Sequence, residues 1–352
     1  MRVLFTGADG YIGAVLGPKL IEHGYDATGI DTGLYRRGWL YDDGRTRPMV
    51  MSRDTRRLSR SDLIGFDAVV HLAELSNDPL GENDPEITME INHRGSVEFA
   101  RKCKEAGIGR FVYASSCSIY GAAGAEIKSE TSSCDPQTAY ARCKVLVERD
   151  LLEMVDSRFS PVFLRNSTAF GASPRQRFDL VLNNLSGFAF TTRKIRVMSD
   201  GTPCRPLVHV DDICQAILCA LDAPTEAVCG EAFNVGDESQ NYTVREIATI
   251  VSETFPGCEL TFGPSGPDSR SYRVSFDKIK THLPSFSCRW NAGRGAQQLK
   301  SVFERIQLDE ATFNSAPFTR LSELRHLQHT EQLDTHLLWT PMNEVIPALG
   351  RI

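Results

Sequence analysis

Short apolar runs alternate with longer stretches of helical periodicity through the first half of the chain. The apolar runs lie at residues 1–6, 25–30, 67–73, 110–115 and 161–165. Helical patterns fill residues 11–24 and 84–106, and a glycine closes each of them. Short apolar runs separated by helices are typical of the strands of a parallel sheet. The alternation therefore predicts an α/β protein whose doubly wound parallel sheet is covered by helices on both faces.

The pattern loosens after about residue 170, where prolines, glycines and short mixed elements replace the regular alternation. Thr243 and Glu246 are spaced as a capping box and predict a helix over residues 244–254. The predicted parts are residues 1–170 with a returning segment at about 205–240, a smaller mixed α/β part at 171–295, and a helical C-terminal extension at 296–352. We expect the smaller part to pack over the carboxyl edge of the sheet, where open α/β sheets bind ligands.

Composition narrows the classes of function. The 352 residues are 41% hydrophobic and 24% charged, as in an ordinary globular protein, and the net charge of −6 disfavours non-specific binding to nucleic acid. Ten cysteines lack the paired spacing of zinc sites, so we expect reduced thiols and no metal centre. The first apolar run ends in a glycine turn and no run approaches membrane-spanning length. We therefore expect a cytoplasmic protein with neither a secretory signal nor a membrane partner.

The turn between the first strand and the first helix has the sequence TGADGYIG over residues 6–13. Its glycines are Gly7, Gly10 and Gly13. They allow a tight turn and a close approach of the backbone to a diphosphate, to which the following helix offers unpaired N–H groups. Asp31 ends the second strand, where a carboxylate accepts hydrogen bonds from the ribose of adenosine and repels a 2′-phosphate. The pattern predicts a dinucleotide site that prefers NAD to NADP, although Arg36 and Arg37 follow closely.

Tyr140 and Lys144 are four residues apart in a helical segment, so their side chains share one face of the helix. An ammonium near a phenol favours the phenolate and lowers the phenol's pKa, which suits a general base near neutral pH. A run of hydroxyl side chains, from Ser115 to Ser118, follows the strand at 110–115 on the edge where a cofactor would lie. Together these residues predict a catalytic tyrosine and lysine beside the cofactor.

The motifs and their order resemble the extended short-chain dehydrogenase/reductase family, in its group of NAD-dependent nucleotide-sugar epimerases and dehydratases similar to UDP-galactose 4-epimerase. The resemblance runs from residue 1 to about 290. It is carried by TGADGYIG, Asp31, Arg53-Asp54, His71-Leu72-Ala73, Asn92, ASSCSIYG at 114–121, YARCK at 140–144, and Asp200-Gly201 followed by Arg205 and His209-Val210-Asp211-Asp212. It implies a Rossmann-type NAD-binding domain over residues 1–170 and a nucleotide-diphosphate sugar bound by residues 171–295.

The resemblance also implies roles for single residues. Ser116 would hydrogen-bond the sugar hydroxyl, Tyr140 would remove its proton, and Lys144 would hold the nicotinamide ribose and tune Tyr140. The residues implied to bind the cofactor are Gly7, Gly10, Tyr11, Ile12, Gly13, Asp31, Asp54, Thr55, Leu72, Ala73 and Asn92, besides Tyr140 and Lys144. Those implied to bind the substrate are Ser118, Asn166, Thr168, Leu180, Arg196, Met198, Arg205, Asp268 and Arg270. Arg205 suits a diphosphate because a guanidinium can bind phosphate through two parallel hydrogen bonds.

The two residues after the catalytic serine indicate the reaction. The dehydratases of the family carry an acidic residue or pair there, and the uronate decarboxylases usually carry a glutamate second, whereas this chain has Cys117-Ser118. Small neutral residues are typical of the 4-epimerases, so transient oxidation at C4 of the sugar is the favoured function. A nucleotide-sugar C4 dehydrogenase or 4-ketoreductase would use the same residues and stays open. A nicotinamide-sensing binding protein on the same fold is a minor alternative.

Two positions depart from the family pattern. The sugar-side asparagine of the 4-epimerases falls at Thr168, with Asn166 two residues earlier. Glu74 follows His71-Leu72-Ala73, where the family prefers alanine or glycine. We expect Glu74 either to face solvent or to contact a sugar with an amine or unusual hydroxyls.

The family members pair through two long helices, which in this chain cover about 84–106 and 138–155. Apolar residues on these helices fit a subunit core or an interface, namely Val97, Phe99 and Val145-Leu146-Val147. We therefore expect a homodimer. The segment beyond residue 290 extends past the usual end of an epimerase, and we expect it to pack on the body or on a partner subunit.

Overall fold

The computed structural model describes residues 1–265 and 271–340. The strands are β1 Arg2–Thr6, β2 Asp26–Asp31, β3 Met49–Ser52, β4 Ala68–His71, β5 Arg110–Ser116, β6 Ala122–Lys128, β7 Ser160–Asn166, β8 Thr168–Phe170, β9 Lys194–Val197, β10 Cys204–His209, β11 Ala232–Val235, β12 Asn241–Thr243, β13 Glu259–Phe262 and β14 Ser271–Val274. The α-helices are α1 Gly13–Glu22, α2 Asp78–Asn83, α3 Pro85–Thr88, α4 Ser96–Glu105, α5 Ala139–Leu152, α6 Val181–Thr192, α7 Val210–Asp222, α8 Thr225–Val228, α9 Val244–Thr254, α10 Asp277–His282, α11 Ala292–Ile306, α12 Glu310–Phe313 and α13 Arg320–His329. Short 3-10 helices lie at Thr55–Arg57, Arg60–Leu63, Cys117–Tyr120, Glu238–Gln240 and Ala316–Phe318, and a π-helical segment at Met89–Gly95.

A parallel sheet forms the centre of the first part. Within the described residues its strands are ordered β11-β7-β5-β4-β1-β2-β3, and each neighbouring pair is parallel. Val3 and Phe5 of β1 pack on one face with α1 and α7, whereas Leu4 packs on the other face with α4 and α5. Strands covered on both faces have continuous apolar sequences, which is why the sequence predicted them. The predicted Rossmann-type fold is confirmed.

Two features of this first part differ from the sequence prediction. The strand β3 was not predicted, because its apolar run, Met49-Val50-Met51, is only three residues long and lies exposed or half-buried at the sheet edge. The helix expected over 84–106 consists of α3, the π-helical segment and α4 in succession. Asn92 and Ser96, in and just after the π-helical segment, are both buried. Such segments often occur at functional sites, and this one lies behind the loop that follows β4.

Smaller sheets and helices build the second part around a separate apolar cluster. β8, β10 and β12 form one sheet, and β9 pairs with β13. α6, α9 and α11 pack together through residues that include Leu185, Ile247 and Leu299. The segment at about 205–240, which was predicted to return to the first part, is shared between the two parts. Its helix α7 covers the central sheet and its strand β11 extends that sheet, whereas its strand β10 joins the small sheet. The capping box that begins at Thr243 starts α9 as predicted.

The C-terminal extension contacts both parts. Phe303 of α11 packs in the apolar cluster of the second part. α13 and the residues after it return to the first part, where Leu324 and Leu337 pack with Leu34 and Leu75. The extension therefore crosses from the second part to the loops at the carboxyl ends of the central strands.

Three further properties bear on function. No described helix combines the length and the apolar character that a membrane crossing requires. All ten cysteines lie in described segments and are unpaired. Within residues 1–265 and 271–340, no cluster of His, Cys, Asp and Glu is arranged to hold a metal ion.

Candidate active site

The glycine loop, residues 7–13, lines a cleft at the carboxyl edge of the central sheet. Gly7 has φ of +68°, and a Cβ there would lie 3.0 Å from Ala73 N and from Leu72 C. A Cβ on Gly13 would lie 2.1 Å from Gly7 O. Both positions therefore require glycine, and the tight turn leaves the start of α1 on the cleft wall. Backbone N–H groups at such a helix start favour diphosphate binding.

The cleft brings together most residues that the sequence assigned to the cofactor. They are Gly7, Gly10, Tyr11, Ile12, Gly13, Asp31, Asp54, Thr55, Leu72 and Ala73. Tyr140 and Lys144 line the adjoining cavity, which shares Ile12 and Leu72 with the cleft. This continuity suits a long dinucleotide that reaches from the glycine loop to Tyr140.

Asn92 is the exception among these assignments. It is fully buried and is not part of the cleft wall. Its amide oxygen accepts from the N–H of Leu75 at 2.8 Å, and its amide nitrogen donates to the carbonyl of Leu75 at 3.0 Å. Asn92 therefore fastens the loop after β4 instead of lining the cofactor cleft as expected.

Asp31 has a carboxylate fixed by backbone groups at the end of β2. Its Oδ1 accepts from the N–H of Gly33 at 2.7 Å, and its Oδ2 accepts from the N–H of Asp9 at 3.0 Å. Burial and the nearby charge of Asp9 raise the pKa of Asp31 to about 6. The remaining lone pairs can accept hydrogen bonds from ribose hydroxyls. The glycine cradle and this carboxylate therefore fit NAD, as the sequence predicted.

Asp31→Ala is expected to weaken NAD binding about ten- to hundredfold, because hydrogen bonds to a charged group contribute about 1.5–3 kcal/mol. Discrimination against NADP should fall as well, since the repulsion of the 2′-phosphate disappears. Titration of cofactor-free protein with NAD and NADP measures both affinities. Asp26→Ala, an exposed change at the start of the same strand, is the control and should leave both constants unaltered. An unchanged ratio of the two constants in Asp31→Ala would contradict the assignment.

Tyr140 and Lys144 lie in the first turns of α5, which begins after Thr138. The hydroxyl of Thr138 caps this helix by accepting from the N–H of Ala141 at 3.2 Å. Tyr140, Lys144 and Ser116, at the end of β5, line the same cavity. Burial raises the pKa of Tyr140, and the charge of Lys144 and a hydrogen bond with Ser116 offset this only in part. The positive charge of an oxidised nicotinamide would favour the phenolate further.

Glu74 places a negative charge directly beside this pair. Its Oε2 lies 2.6 Å from Nζ of Lys144, and the two side chains are 3% and 4% exposed. The hydroxyl of Tyr113 donates to Oε1 of Glu74 at 2.6 Å. Burial disfavours the charged form of Lys144, but the attraction of Glu74 and Tyr140 outweighs it and the pKa of Lys144 is raised. The expectation that Glu74 faces solvent is therefore wrong, and a contact with an unusual sugar stays a prediction.

His71 fixes the strand end behind the same pair. Its Nδ1 lies 2.7 Å from Oγ1 of Thr6 and its Nε2 lies 2.9 Å from Oγ of Ser96. Burial and the charge of Lys144 lower the pKa of His71 to about 3. The imidazole is therefore neutral near pH 7 and serves as a rigid link between β1, β4 and α4.

A second cavity of about 450 Å³, called the sugar cavity below, extends from Tyr140 toward the second part. The predicted substrate residues that line it are Ser118, Asn166, Thr168, Leu180 and Arg205. Within the described part of the chain, Oγ of Ser118 and Oδ1 of Asn166 are buried without a hydrogen-bond partner. Buried polar atoms are normally paired, so these two atoms indicate a polar ligand such as a sugar.

The other predicted substrate residues are not brought to this cavity. Arg196 is exposed on β9, and Met198 is 86% exposed, so neither lines the cavity as expected. Arg196 occupies an exposed position of β9, whose residues alternate between exposed and buried, and Met198 directly follows this strand. Asp268 and Arg270 lie outside the described residues.

Sequence reasoning missed residues that line these cavities. Arg177 borders both the cofactor cleft and the sugar cavity, and its Nε donates to Oδ1 of Asp179 at 2.8 Å. Arg320 and Leu337 reach the cofactor cleft from the C-terminal extension. The signal for Arg177 was its place in the loop between β8 and α6, since loops that connect strands to helices often carry ligand-binding residues. The extension gave no comparable signal.

Comparison with known proteins agrees with this geometry. Residues 3–236 match the model of a family described as the NAD dependent epimerase/dehydratase family. A UDP-glucose 4-epimerase of Mycolicibacterium smegmatis is 26% identical over 273 residues, which cover 72% of this chain and 82% of that protein. MoeE5 in complex with UDP-glucuronic acid and NAD has a TM-score of 0.74 and 27% identity, with 88% of this chain and 100% of that chain covered. The NAD-dependent NDP-hexosamine 5,6-dehydratase TunA shares the fold, with a TM-score of 0.77, 21% identity and coverage of 86% and 98%.

Proposed function

Because the chain belongs to the NAD-dependent epimerase/dehydratase family, we propose that it is a nucleotide-sugar 4-epimerase that retains its NAD through turnover. One observation carries this proposal. The half-buried Tyr140 and the buried Lys144 line the sugar cavity beside Ser116, while the two positions after Ser116 carry no acid.

The mechanism follows from the side chains around the sugar cavity. Ser116 and Tyr140 would hold the C4 hydroxyl of the sugar, and Tyr140 as phenolate would accept its proton. NAD, when bound, supplies a reversible acceptor for the hydride of C4. The resulting ketone could rotate within the cavity of about 450 Å³, so that the hydride would return to the opposite face of C4 while Tyr140 would return its proton to the C4 oxygen. Lys144 lowers the proton affinity of Tyr140 and would hold the nicotinamide ribose.

The carboxylates of the sugar cavity favour epimerisation over dehydration. Glu74, Asp78 and Asp179 line it, and each is bound by a neighbouring side chain. A dehydratase needs an acid that is free to protonate the departing hydroxyl. Cys117 is fully buried and its thiol donates to a backbone carbonyl at 3.0 Å, and Ser118 is neutral. In the described part of the cavity, proton transfer is therefore left to Tyr140.

We propose a UDP-hexose as the substrate. The support comes from relatives, because the Mycolicibacterium smegmatis protein is a UDP-glucose 4-epimerase and MoeE5 binds UDP-glucuronic acid. Arg205 borders the cavity where a diphosphate would lie beyond the sugar. Ser118 and Asn166 offer buried polar atoms to the sugar hydroxyls.

Arg205→Ala is expected to raise KM for the nucleotide sugar about ten- to hundredfold and to change kcat little, because a diphosphate far from C4 is bound equally in the ground and transition states. Steady-state rates over a range of substrate concentrations measure both constants. Arg196→Ala is a matched control, since that arginine is exposed outside the cavity. Equal KM values for the two variants would show that Arg205 does not bind the diphosphate.

The test of the function is product analysis by NMR after incubation of the purified enzyme with UDP-glucose, UDP-galactose and their N-acetylated and uronic acid counterparts, without added NAD. We expect one pair of C4 epimers to interconvert to equilibrium. A 4-keto product formed only with added NAD would show a dehydrogenase instead. A 4-keto-6-deoxy product would show a dehydratase.

We also propose that two copies pair through α4 and α5. Phe99 and Val147 are buried within the single chain, so the residues left for an interface are the half-buried Val97, Val145 and Leu146. Light scattering should give the mass of a dimer, and a monomer would contradict this proposal. A cytoplasmic location is proposed as well, because unpaired cysteines persist in a reducing compartment.

A further inference from the structure

The C-terminal strap, residues 319–340, crosses the mouth of the cofactor cleft. Its Leu337 packs with Leu34 and Leu75, which belong to the loops after β2 and β4. Leu337 and Arg320 also stand on the cleft wall, together with the glycine loop. The strap thus forms one side of the dinucleotide site, although it is far from the other cleft residues along the chain.

Polar and ring contacts with the loop after β2 hold the strap on the first part. The guanidinium of Arg37 forms two hydrogen bonds of 2.9 Å with the carboxylate of Glu323, which is fully buried. Arg36 stacks over the ring of Trp339, 4.5 Å from its centroid. The indole N–H of Trp339 donates to the carbonyl of Thr32 at 2.6 Å. Both arginines after Asp31 are therefore engaged with the strap.

Arg320 is a buried cation that lacks an anionic partner of its own. It is 3% exposed and stacks on the ring of Tyr35 at 3.9 Å. The neighbouring Asp179 is paired with Arg177 at 2.8 Å. Within residues 1–265 and 271–340, Arg320 makes no ion pair. Burial and repulsion by Arg177 lower the pKa of Arg320 to about 10, which leaves the guanidinium charged near pH 7.

We propose that the C-terminal strap forms part of the cofactor site. In this site Arg320 binds the diphosphate of NAD, and the strap slows the release of NAD. A buried charge is costly unless it is paired, and the cleft that Arg320 lines is the place where an anionic diphosphate would lie. Arg177 lines both the cofactor cleft and the sugar cavity, whereas Arg320 lines only the cofactor cleft of these two. The proposal depends on NAD binding and not on the reaction proposed above.

The experiment measures cofactor binding without turnover. Cofactor-free protein is titrated with NAD and with ADP-ribose, and the rate of NAD release is followed after displacement. Arg320→Gln should raise both dissociation constants about ten- to hundredfold, as expected for loss of a charge-assisted hydrogen bond. Arg320→Lys should retain most of the affinity. Arg325→Gln is the matched control, because Arg325 is exposed on the same helix and bonds Asn83.

A second variant tests the strap without changing the cleft. Trp339→Ala removes an anchor at the surface, keeps Arg320, and should speed the release of NAD severalfold. Thermal unfolding of each variant shows whether it is folded. If Arg320→Gln does not fold, the NAD affinity of Arg320→Lys and the NAD release rate of Trp339→Ala test the proposal instead. Wild-type dissociation constants for Arg320→Gln, or a wild-type release rate for Trp339→Ala, would overturn the proposal.

Discussion

Tyr140→Phe is expected to lower kcat by about two to four orders of magnitude, because phenylalanine can neither accept nor return the proton of the sugar hydroxyl. The ring stays in place at the start of α5, so the fold and the amount of bound NAD should not change. Tyr25→Phe is the matched control, since its hydroxyl bonds Asp222 outside both cavities. Initial rates of epimerisation, together with the nicotinamide released on denaturation, measure the two effects separately.

Retained activity in Tyr140→Phe would point to a different base. A kcat within about tenfold of wild type is more than a lost general base allows. Glu74 would then be the next candidate, because its carboxylate borders the same cavity. A variant that loses its NAD along with its activity would instead assign Tyr140 to cofactor binding.

Glu74→Gln is expected to lower the free energy of unfolding by about 3–5 kcal/mol, because it leaves the buried ammonium of Lys144 without its carboxylate. The raised pKa of Lys144 sets the pH range over which the pair stabilises the fold. This stabilisation is fully present below pH 10.5, which is the ordinary pKa of a lysine. It is lost only as the pH rises through the raised pKa of Lys144. Chemical denaturation at pH 7 therefore measures the full effect.

Two comparisons separate this buried pair from a surface effect. Glu22→Gln is the control, because Glu22 pairs with Arg45 at 2.7 Å with a side chain that is 59% exposed, and it should cost less than about 1 kcal/mol. Adding Lys144→Met to a Glu74→Leu chain removes both charges and should recover most of the stability. Equal effects of Glu22→Gln and Glu74→Gln would show that Glu74 and Lys144 are not a desolvated pair.

The sequence predicted the centre of the fold because burial on both faces makes a strand continuously apolar. β1, β4 and β7 are examples, and the helical runs that follow β1 and β4 end at Gly24 and Gly107. The strand β3 lies at the edge of the sheet, where its residues are exposed or half-buried, and its apolar run is only three residues long. The helix at 84–106 was predicted as one unit because a π-helical segment does not interrupt the run of helical residues.

The candidate site was predictable where one local motif carries the chemistry. The glycine loop lies within one turn between β1 and α1, and Tyr140 and Lys144 lie within one helix, α5. The contact of Glu74 depends on side chains from β5 and α5, and the place of Arg320 depends on how the extension crosses the fold. Neither can be derived from spacing, because the partners are distant in sequence and meet only through tertiary packing.

The central claim is that oxidation and reduction at C4 are internal to one enzyme-bound cofactor. The most direct measurement uses the nucleotide hexose that the enzyme converts, labelled with deuterium at C4, and follows the label by NMR and mass spectrometry without added NAD. We expect both epimers to keep the deuterium at C4. Deuterium released in free reduced nicotinamide, or a product that has lost water, would contradict the account.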